Sequence, residues 1–234
     1  GTIDSAGSFN NDSGFSIVSY TNTNQSANSG VATIKHGLNT TPNVLILKDR
    51  DATSDWQVFH SSLPTNKYLD LNTTDAAAVD TNVWNNTAPT SSVFTVGDNS
   101  YSNPANRAMI AYCFAEKKGY SKFGSYTGNG NADGTFVYTG FLPSFVMVKD
   151  SSNAGYNWMM YDNKRLGYNG GSRYLIANQN YAESGSSDNL MDFTSNGFKL
   201  RIADQNINRT HTYLYMCFAE NPFTSSAGTP VTAR

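Results

Sequence analysis

The densest cluster of side chains that could take part in chemistry is acidic. Asp49 and Asp51 flank Arg50, and Asp55 follows closely. Carboxylate oxygens bind Ca²⁺, so the three aspartates are the candidate metal ligands of the chain. The segment lacks the glycine and the closing glutamate of a calcium loop, and it contains an arginine. We therefore interpret it as a solvated hairpin loop and predict no bound metal and no cofactor.

The cysteines and histidines form neither a reactive pair nor a metal-ligand pattern. Cys113 and Cys217 lie in the same Cys-Phe-Ala-Glu motif, and no histidine recurs beside them, as a cysteine nucleophile would require. His36, His60 and His211 show no metal-ligand spacing. The sequence predicts two buried thiols and three histidines at the surface or at strand edges.

Motifs for enzyme chemistry are also missing from the sequence. It contains no nucleophile elbow, phosphate-binding loop, dinucleotide fingerprint or zinc motif. A glycosidase needs two carboxylates that face each other across a cleft. The acids at matching positions of the two halves, Asp49 with Asp150 and Glu116 with Glu220, lie at predicted strand ends, where hydrogen bonding to a turn is their ordinary role. The sequence predicts a protein that is not an enzyme.

Five aromatic residues lie in polar, turn-like segments without a counterpart in the other half of the chain. They are Trp84, Tyr101, Tyr156, Tyr168 and Tyr181. An exposed ring beside amide groups can stack on a sugar, and exposed Tyr and Trp equally suit a protein interface. The alternative is that each ring packs over the edge of its domain. We take these five residues as the candidate ligand-binding set.

The composition limits the class of protein. Charged residues make up 15% of the 234 residues, the net charge is −2 and the pI is about 5.9, which argues against a nucleic-acid partner. Asn, Ser and Thr number 28, 26 and 23, so amides and hydroxyls dominate the polar surface. No apolar stretch is long enough to span a membrane, and we predict no membrane partner.

The chain contains an internal repeat of about 105 residues. The matching segments keep their order in both halves. They are TPNVLILKD (41–49) with LPSFVMVKD (142–150), KYLDLN (67–72) with RYLIAN (173–178), SSVFTV (91–96) with SNGFKL (195–200), and CFAE (113–116) with CFAE (217–220). Small differences in offset indicate loops of different length between fixed elements.

Each half is predicted to consist of strands. Residues 43–48 and 144–149 are apolar runs typical of buried strands, while other segments alternate with period two between Gly, Asn, Ser and Pro turns. Residues 108–118 contain good helix formers, but we predict a strand because the matching residues 212–218 are β-branched and aromatic.

These patterns predict an all-β fold with two tandem antiparallel β-sandwich, jelly-roll-like domains that arose by duplication. The predicted boundaries are an incoming linker at 1–13, the first sandwich at 14–118, the second at 119–223, and a flexible tail at 224–234.

Long segments of the chain resemble a known family of repeats. They include GFSIVSYT (14–21), HGLNTTPNVLILKDR (36–50), AYCFAE (111–116), GYSKFGSYTGNGNADGTFVYTGF (119–141), FTSNGFKLR (193–201) and CFAENPF (217–223). They resemble the tandem LamG/concanavalin-like β-sandwich modules of tail-fibre-like virion proteins in tailed phages. The resemblance implies a structural or adhesive role in a virion and implies no catalytic residues.

We therefore expect a phage tail-fibre or spike module that is made in the host cytoplasm and located in the virion. Its expected partners are other virion proteins and a host surface glycan or receptor, and it is expected to form a homo-oligomer, a trimer by analogy with phage fibres. Two alternatives are a purely structural component, such as a head-decoration or fibre-shaft protein, and, less favoured, a glycan-cleaving enzyme.

Overall fold

The structure is a computed structural model that describes residues 1–23, 30–165, 172–186 and 190–221. Eighteen β-strands and no helix are present in these ranges. The chain divides into two compact units: unit 1 comprises Gly1–Thr73 and Ala77–Glu116, and unit 2 comprises Thr74–Ala76 and Lys117–Arg234. The predicted all-β class is confirmed.

Unit 1 contains a large and a small antiparallel sheet. Its strands are β1 (Ser5–Asn10), β2 (Phe15–Thr21), β3 (Ala32–Lys35), β4 (Val44–Asp49), β5 (Gln57–His60), β6 (Lys67–Asp70), β7 (Ala78–Val79), β8 (Val93–Val96) and β9 (Ala108–Phe114). The large sheet has the order β1-β2-β9-β4-β5-β6-β7, and β3 pairs with β8 in the small sheet.

The core of unit 1 lies between these two sheets. Tyr20, Leu45 and Met109 contribute from the large sheet, and Ile34 and Phe94 contribute from the small one. All five side chains are almost completely buried. A core shared by two antiparallel sheets is β-sandwich-like.

Unit 2 also contains two antiparallel sheets. Its strands are β10 (Ser121–Thr127), β11 (Phe136–Tyr138), β12 (Pro143–Asp150), β13 (Met159–Asp162), β14 (Ser172–Ile176), β15 (Ser184–Ser186), β16 (Met191–Thr194), β17 (Gly197–Leu200) and β18 (Thr212–Ala219). The orders are β10-β18-β12-β13-β14-β15 and β11-β17-β16. The core again draws on both sheets, for example Tyr126 and Val148 with Val137 and Phe198.

The segment that resembled a helix former is strand β9. Its residues alternate between buried and half-buried, with Met109, Ala111 and Cys113 fully buried. β9 pairs with β2 on one side and β4 on the other. Pairing on both edges within a sheet outweighs the helix propensity of these residues.

The expected linker at 1–13 is part of unit 1, which corrects that prediction. Ser5–Asn10 form β1, which pairs along β2 from Ser5 opposite Tyr20 to Asn10 opposite Phe15. The connecting turn is stabilised because Asn10 Oδ1 accepts the N–H groups of Asp12 and Ser13, at 2.9 and 3.0 Å. Unit 2 begins at Lys117, two residues before the expected boundary. The expected tail at 224–234 lies outside the described residues.

Candidate ligand-binding site

Two neighbouring strands of unit 2 bring separate loops to one end of the large sheet. β12 ends at Asp150, and its antiparallel neighbour β18 begins at Thr212. Asp150 lies opposite Tyr213 in this pairing. The loop after β12 and the loop before β18 therefore meet at the same edge of the sheet, although they are far apart in sequence.

Asp150 is the buried centre of this site. Its side chain is fully buried, and its Oδ2 lies 2.6 Å from Nδ1 of His211. Its Oδ1 accepts hydrogen bonds from the N–H and Oγ of Ser152 and from the N–H of Asn153, at 2.8 to 3.0 Å. The carboxylate thus shapes its own turn and holds the imidazole, whose side chain is 23% exposed.

Tyr156 lies beside this imidazole. Its ring centroid is 5.8 Å from that of His211, and its hydroxyl donates to Oε1 of Gln205 at 3.0 Å. Tyr156 and His211 are half-buried, and Gln205 is exposed. An aromatic ring, an imidazole and an amide are therefore held together at the surface, and we call these three residues the Tyr156 site.

The Tyr156 site rests on a stack of buried tyrosines. His211 and Tyr213 are stacked at 6.3 Å, and Tyr213 and Tyr126 at 5.2 Å. The Tyr213 hydroxyl donates to the carbonyl of Gln205 at 2.8 Å, and the Tyr126 hydroxyl donates to that of Ile207 at 2.7 Å. Burial raises the pKa of both hydroxyls, so they stay protonated and act as fixed donors to the loop before β18.

Lys149 stabilises the loop after β12, which carries Tyr156. It is fully buried, and its Nζ donates to the carbonyl oxygen of Tyr156 at 2.6 Å. Burial lowers its pKa to about 8, against the opposing effect of Asp150 and Asp75. The hydrogen bond to the carbonyl fixes the backbone that carries the Tyr156 ring.

Unit 1 contains a related arrangement with different side chains. Asp49, at the end of β4, is buried and accepts a hydrogen bond from Arg107 at 2.7 Å, where unit 2 has His211. Lys48 Nζ donates to the carbonyls of Ala52 and Ser54, at 3.2 and 3.0 Å. An open depression of about 680 Å³ is lined by residues 48–54. Among the described residues of unit 1, the buried aspartate is therefore paired with a guanidinium group, whereas in unit 2 it is paired with an imidazole.

The model of the family described as "Domain of unknown function (DUF7483)" matches residues 1–222. The chain belongs to the DUF7483 family. No curated protein and no solved structure matches it. The matched range extends across unit 1 and most of unit 2, so the DUF7483 domain includes both the Asp49 loop and the Tyr156 site.

Trp84 of this DUF7483 chain is a core residue, which corrects its prediction as an exposed binding ring. It is 1% exposed, its ring lies 5.7 Å from that of Phe59, and its Nε1 donates to the carbonyl of Lys67 at 3.1 Å. Asn85 and Asn86, which follow it, adopt left-handed backbone conformations. The chain turns sharply there, and the polar neighbours face solvent while the indole faces the core.

The other candidate rings of the DUF7483 chain lie in separate places. Tyr101 follows a turn capped by Asn99 in unit 1 and is 48% exposed. Tyr181 precedes β15 in unit 2 and is 67% exposed. Tyr168 lies outside the described residues. Only Tyr156, of the candidates that the structure describes, belongs to a cluster with other rings and an amide.

The three aspartates proposed as metal ligands do not converge on a common point. Asp49 Oδ1 accepts the N–H groups of Asp51 and Ala52, and its Oδ2 binds Arg107. Asp51 Oδ2 accepts the Ala108 N–H at 2.6 Å, and Asp55 Oδ1 accepts the Asn72 side-chain amide at 2.7 Å. Within the described ranges, no group of three His, Cys, Asp or Glu residues could hold a metal. The aspartates are better explained as hydrogen-bond acceptors that stabilise their loop and join it to neighbouring segments.

The thiols are buried as predicted, and two histidines differ from the prediction. Cys113 and Cys217 are free and buried, and burial raises the pKa of Cys113 to about 12. His36 and His60 are also buried, at 0% and 2% exposure, so the surface position allowed by the prediction is wrong for both; His36 directly follows β3 and His60 ends β5. His36 is enclosed because its Nδ1 accepts the Leu38 N–H and its Nε2 reaches the Thr90 carbonyl, both at 3.1 Å.

Sequence reasoning missed two members of the Tyr156 site. His211 was expected to be an ordinary surface histidine, and Gln205 was not singled out. The signal that could have revealed His211 is the Lys-Asp pair that recurs at residues 48–49 and 149–150. Each of these aspartates is paired with a basic residue that directly precedes the neighbouring strand.

Within the described part of the chain, no helix is long and apolar enough to cross a membrane.

Proposed function

We propose that this protein is a non-enzymatic adhesion module of a tailed-phage virion, part of a tail fibre or spike, that binds a host surface glycan at the Tyr156 site. The observation that carries the proposal is the placement of Tyr156, whose hydroxyl donates to Gln205 Oε1 at 3.0 Å and whose ring centroid lies 5.8 Å from that of His211. Protein sites for sugars combine an aromatic face with a few fixed polar groups.

Each residue of the site has a distinct task in this proposal. The Tyr156 ring stacks on the apolar face of a sugar. The Gln205 amide nitrogen donates to a hydroxyl. In the neutral tautomer that donates from Nδ1 to Asp150, His211 keeps Nε2 as an acceptor for a second hydroxyl. Because Asp150, Lys149 and the tyrosine stack hold these groups in place, little conformational entropy is lost when a ligand binds.

The two units are proposed to be copies of one ancestral sandwich. The order β10-β18-β12-β13-β14-β15 corresponds to β2-β9-β4-β5-β6-β7, strand by strand. Matching hydrogen bonds support this correspondence. They are Tyr20 to the Ser102 carbonyl and Tyr126 to the Ile207 carbonyl, both 2.7 Å, and the N–H groups of Trp56 and Trp158 to Asn72 and Asn178, both 2.8 Å. In such a pair one copy can keep a structural role while the other acquires a ligand site.

The virion assignment rests on the resemblance of the long repeated segments and on a surface rich in amides and hydroxyls. The second candidate is a purely structural virion component, such as a head-decoration or fibre-shaft protein. The exposed rings of Tyr101 and Tyr181 favour it, because such rings suit contacts between subunits. A glycan-cleaving enzyme is less favoured, because both oxygens of Asp150 accept bonds from protein groups and are not directed at a substrate.

A glycan array probed with the whole chain, displayed on multivalent beads, tests the first candidate, and binding to host cells is measured in parallel. We expect binding that Tyr156→Ala and Gln205→Ala reduce at least tenfold, whereas Tyr101→Ala, in unit 1, leaves it unchanged. Absence of binding to every glycan and to host cells would contradict the adhesion role.

A separate assay distinguishes the alternatives. Release of sugar from host polysaccharide would establish the enzyme. Loss of particle assembly on Tyr101→Ala or Tyr181→Ala, with normal host adsorption of the particles that still form, would favour the structural component.

A further inference from the structure

Strand β1 is an open edge of unit 1. It is the first strand in the order of the large sheet, and five of its six residues are exposed. It contains no charged residue and no proline, and it is the longest such strand among those that end a described sheet. Proteins usually protect strand edges with charges, prolines, bulges or covering segments. The exposure of β1 shows that no described segment covers it.

The direction of the backbone groups of β1 follows from the register of the sheet. Gly14, which directly precedes β2, accepts the Ala115 N–H at its carbonyl at 2.7 Å, so the even-numbered residues of β2 bond to β9 and the odd-numbered ones bond to β1. The residues of β1 opposite these odd-numbered residues are Ala6, Ser8 and Asn10. The N–H and C=O groups of Ser5, Gly7 and Phe9 therefore point away from β2, and no described residue bonds to them.

An exposed aromatic ring is held beside this edge. Phe9 is 59% exposed. Its ring rests on Gly37, where a Cβ would lie 2.6 Å from the ring carbon Cδ1. The backbone of Gly37 also has a φ of 76°, which favours glycine. The glycine leaves space for the ring, and an exposed ring beside unpaired strand groups is typical of a surface that another chain covers.

The outward groups of β1 can pair with the same groups of another copy. When β1 of a second copy runs antiparallel, with Gly7 opposite Gly7, Ser5 of each copy lies opposite Phe9 of the other. Each of these pairs exchanges two hydrogen bonds, so about six main-chain bonds join the copies. The arrangement has a two-fold axis at Gly7 and is therefore complete as a dimer.

The charges beside the strand fit a second copy as the partner. In this register Asp4 lies opposite Asn10 of the other copy, so two carboxylates do not meet. Ser5 Oγ donates to the Lys35 carbonyl at 3.1 Å, which places Lys35 beside the end of the ladder where the other copy has the turn with Asp12. Lys35 and Asp12 are both exposed. Opposite charges therefore come together at each end of the paired strands.

We propose that β1 pairs with β1 of a second copy of this chain, antiparallel and with Gly7 on the two-fold axis, so that the large sheets of unit 1 from both copies become one continuous sheet. The main-chain hydrogen bonds provide affinity, and the Phe9 ring together with the charges of Lys35 and Asp12 provides specificity. This assembly role is separate from glycan binding, so substitutions at this edge leave glycan binding per chain unchanged.

Cysteine cross-linking tests the proposed register. Ala6 of one copy lies opposite Ser8 of the other as a non-hydrogen-bonded pair, with Cα atoms about 4.5 Å apart, a separation that a disulfide accepts. We expect a mixture of Ala6→Cys and Ser8→Cys chains to form a disulfide-linked dimer under mild oxidation. Each variant alone is the matched control, because identical positions lie about 8 Å apart, which is too far for a disulfide. Equal cross-linking in the controls, or no dimer in the mixture, would overturn the proposal.

Sedimentation of the whole chain gives a second, independent measurement. We expect a dimer whose dissociation constant rises at least tenfold in Ser5→Pro, because proline removes the outward N–H that the Phe9 carbonyl of the other copy accepts. Ser5→Ala is the matched control, since it loses the Oγ bond to Lys35 but keeps this N–H, and it should dimerise normally. A monomer at every concentration, a trimer, or equal dissociation constants for the two variants would rule the arrangement out. If Ser5→Pro does not fold, the cross-linking result decides.

Discussion

His211 Nδ1 lies 2.6 Å from Asp150 Oδ2 in unit 2, and Arg107 occupies the matching place in unit 1, 2.7 Å from Asp49 Oδ2. Both aspartates are buried, and both accept the N–H groups of the turn that follows them. The two units therefore share a structural element whose basic partner differs. In unit 2 the partner is an imidazole that lies against an exposed site.

Asp150→Asn is expected to destabilise the protein by about 2 to 4 kcal/mol, because it replaces one oxygen of a buried, fully hydrogen-bonded carboxylate with an amide nitrogen that donates toward groups that also donate. His211→Arg should cost less than about 1 kcal/mol, since an arginine performs this task beside Asp49. Urea denaturation measures both. Asp133→Asn is the control. Because the Asp133 side chain is 84% exposed, its replacement should leave the midpoint of urea denaturation unchanged. Equal losses for His211→Arg and Asp150→Asn would show that the two basic partners are not equivalent.

Trp84→Ala tests the correction of a sequence-based assignment. The side chain is 1% exposed and packs on Phe59, so its removal should destabilise the protein by about 3 to 5 kcal/mol. Glycan binding per folded molecule should be unchanged. Thermal denaturation monitored by circular dichroism checks the first point, and the glycan array checks the second. A stable Trp84→Ala variant with impaired binding would restore Trp84 as a ligand-binding residue.

Some elements were readable from the sequence because local pattern and final packing agree. The apolar run in β4 is buried at Val44, Leu45 and Leu47, as a strand covered on both faces should be. The turn role of Asp49 and Asp150 followed from their repeated place at the end of a strand. Such features depend on neighbours within a few residues, which the sequence displays directly.

Other features depend on contacts between distant segments. Trp84 sits among polar residues, and only the fold shows that its ring reaches Phe59. The bond between His211 and Asp150 joins residues 61 apart, and it forms because β12 and β18 are neighbours in the sheet. Sequence patterns predicted the strands but did not predict which loops meet at their ends.

His36 is expected to make stability depend on pH below neutrality. Burial lowers its pKa, and a proton on Nδ1 would oppose the Leu38 N–H that now donates to it. Because the unfolded histidine, with a pKa of about 6.5, binds the proton more readily, the free energy of unfolding should fall as pH decreases below about 6.5. His36→Asn keeps an acceptor for the Leu38 N–H and does not titrate in this pH range. The free energy of unfolding should therefore change less with pH in this variant. Urea titrations between about pH 5 and 7.5 test this, and an unchanged slope would contradict it.

Both thiols should be inert in the folded protein. Cys113 and Cys217 are buried, and the pKa of Cys113 is raised to about 12 by burial, so little thiolate forms at pH 8. A colorimetric thiol reagent should label neither residue in buffer and both in guanidinium chloride. A Ser125→Cys variant serves as a positive control, because Ser125 lies at an exposed position of β10. Rapid labelling of Cys113 in the folded protein would contradict its burial in the core.

Lys149 links the stability of unit 2 to its ligand site. Its pKa in the folded protein is about 8, against about 10.4 in an unfolded chain, so the unfolded state binds more protons between these values. The contribution of Lys149 to the free energy of unfolding should therefore rise with pH from about 8 to 10. Lys149→Met should remove this part of the pH dependence. It should also weaken glycan binding at least tenfold, because the Tyr156 carbonyl loses the donor that holds its loop.

Lys35→Met, at an exposed position of β3, is the matched control and should change neither the pH dependence of stability nor glycan binding. Urea titrations across this pH range, with binding measured at pH 7, separate the two effects. Normal binding by Lys149→Met would show that the Tyr156 ring is positioned without this hydrogen bond.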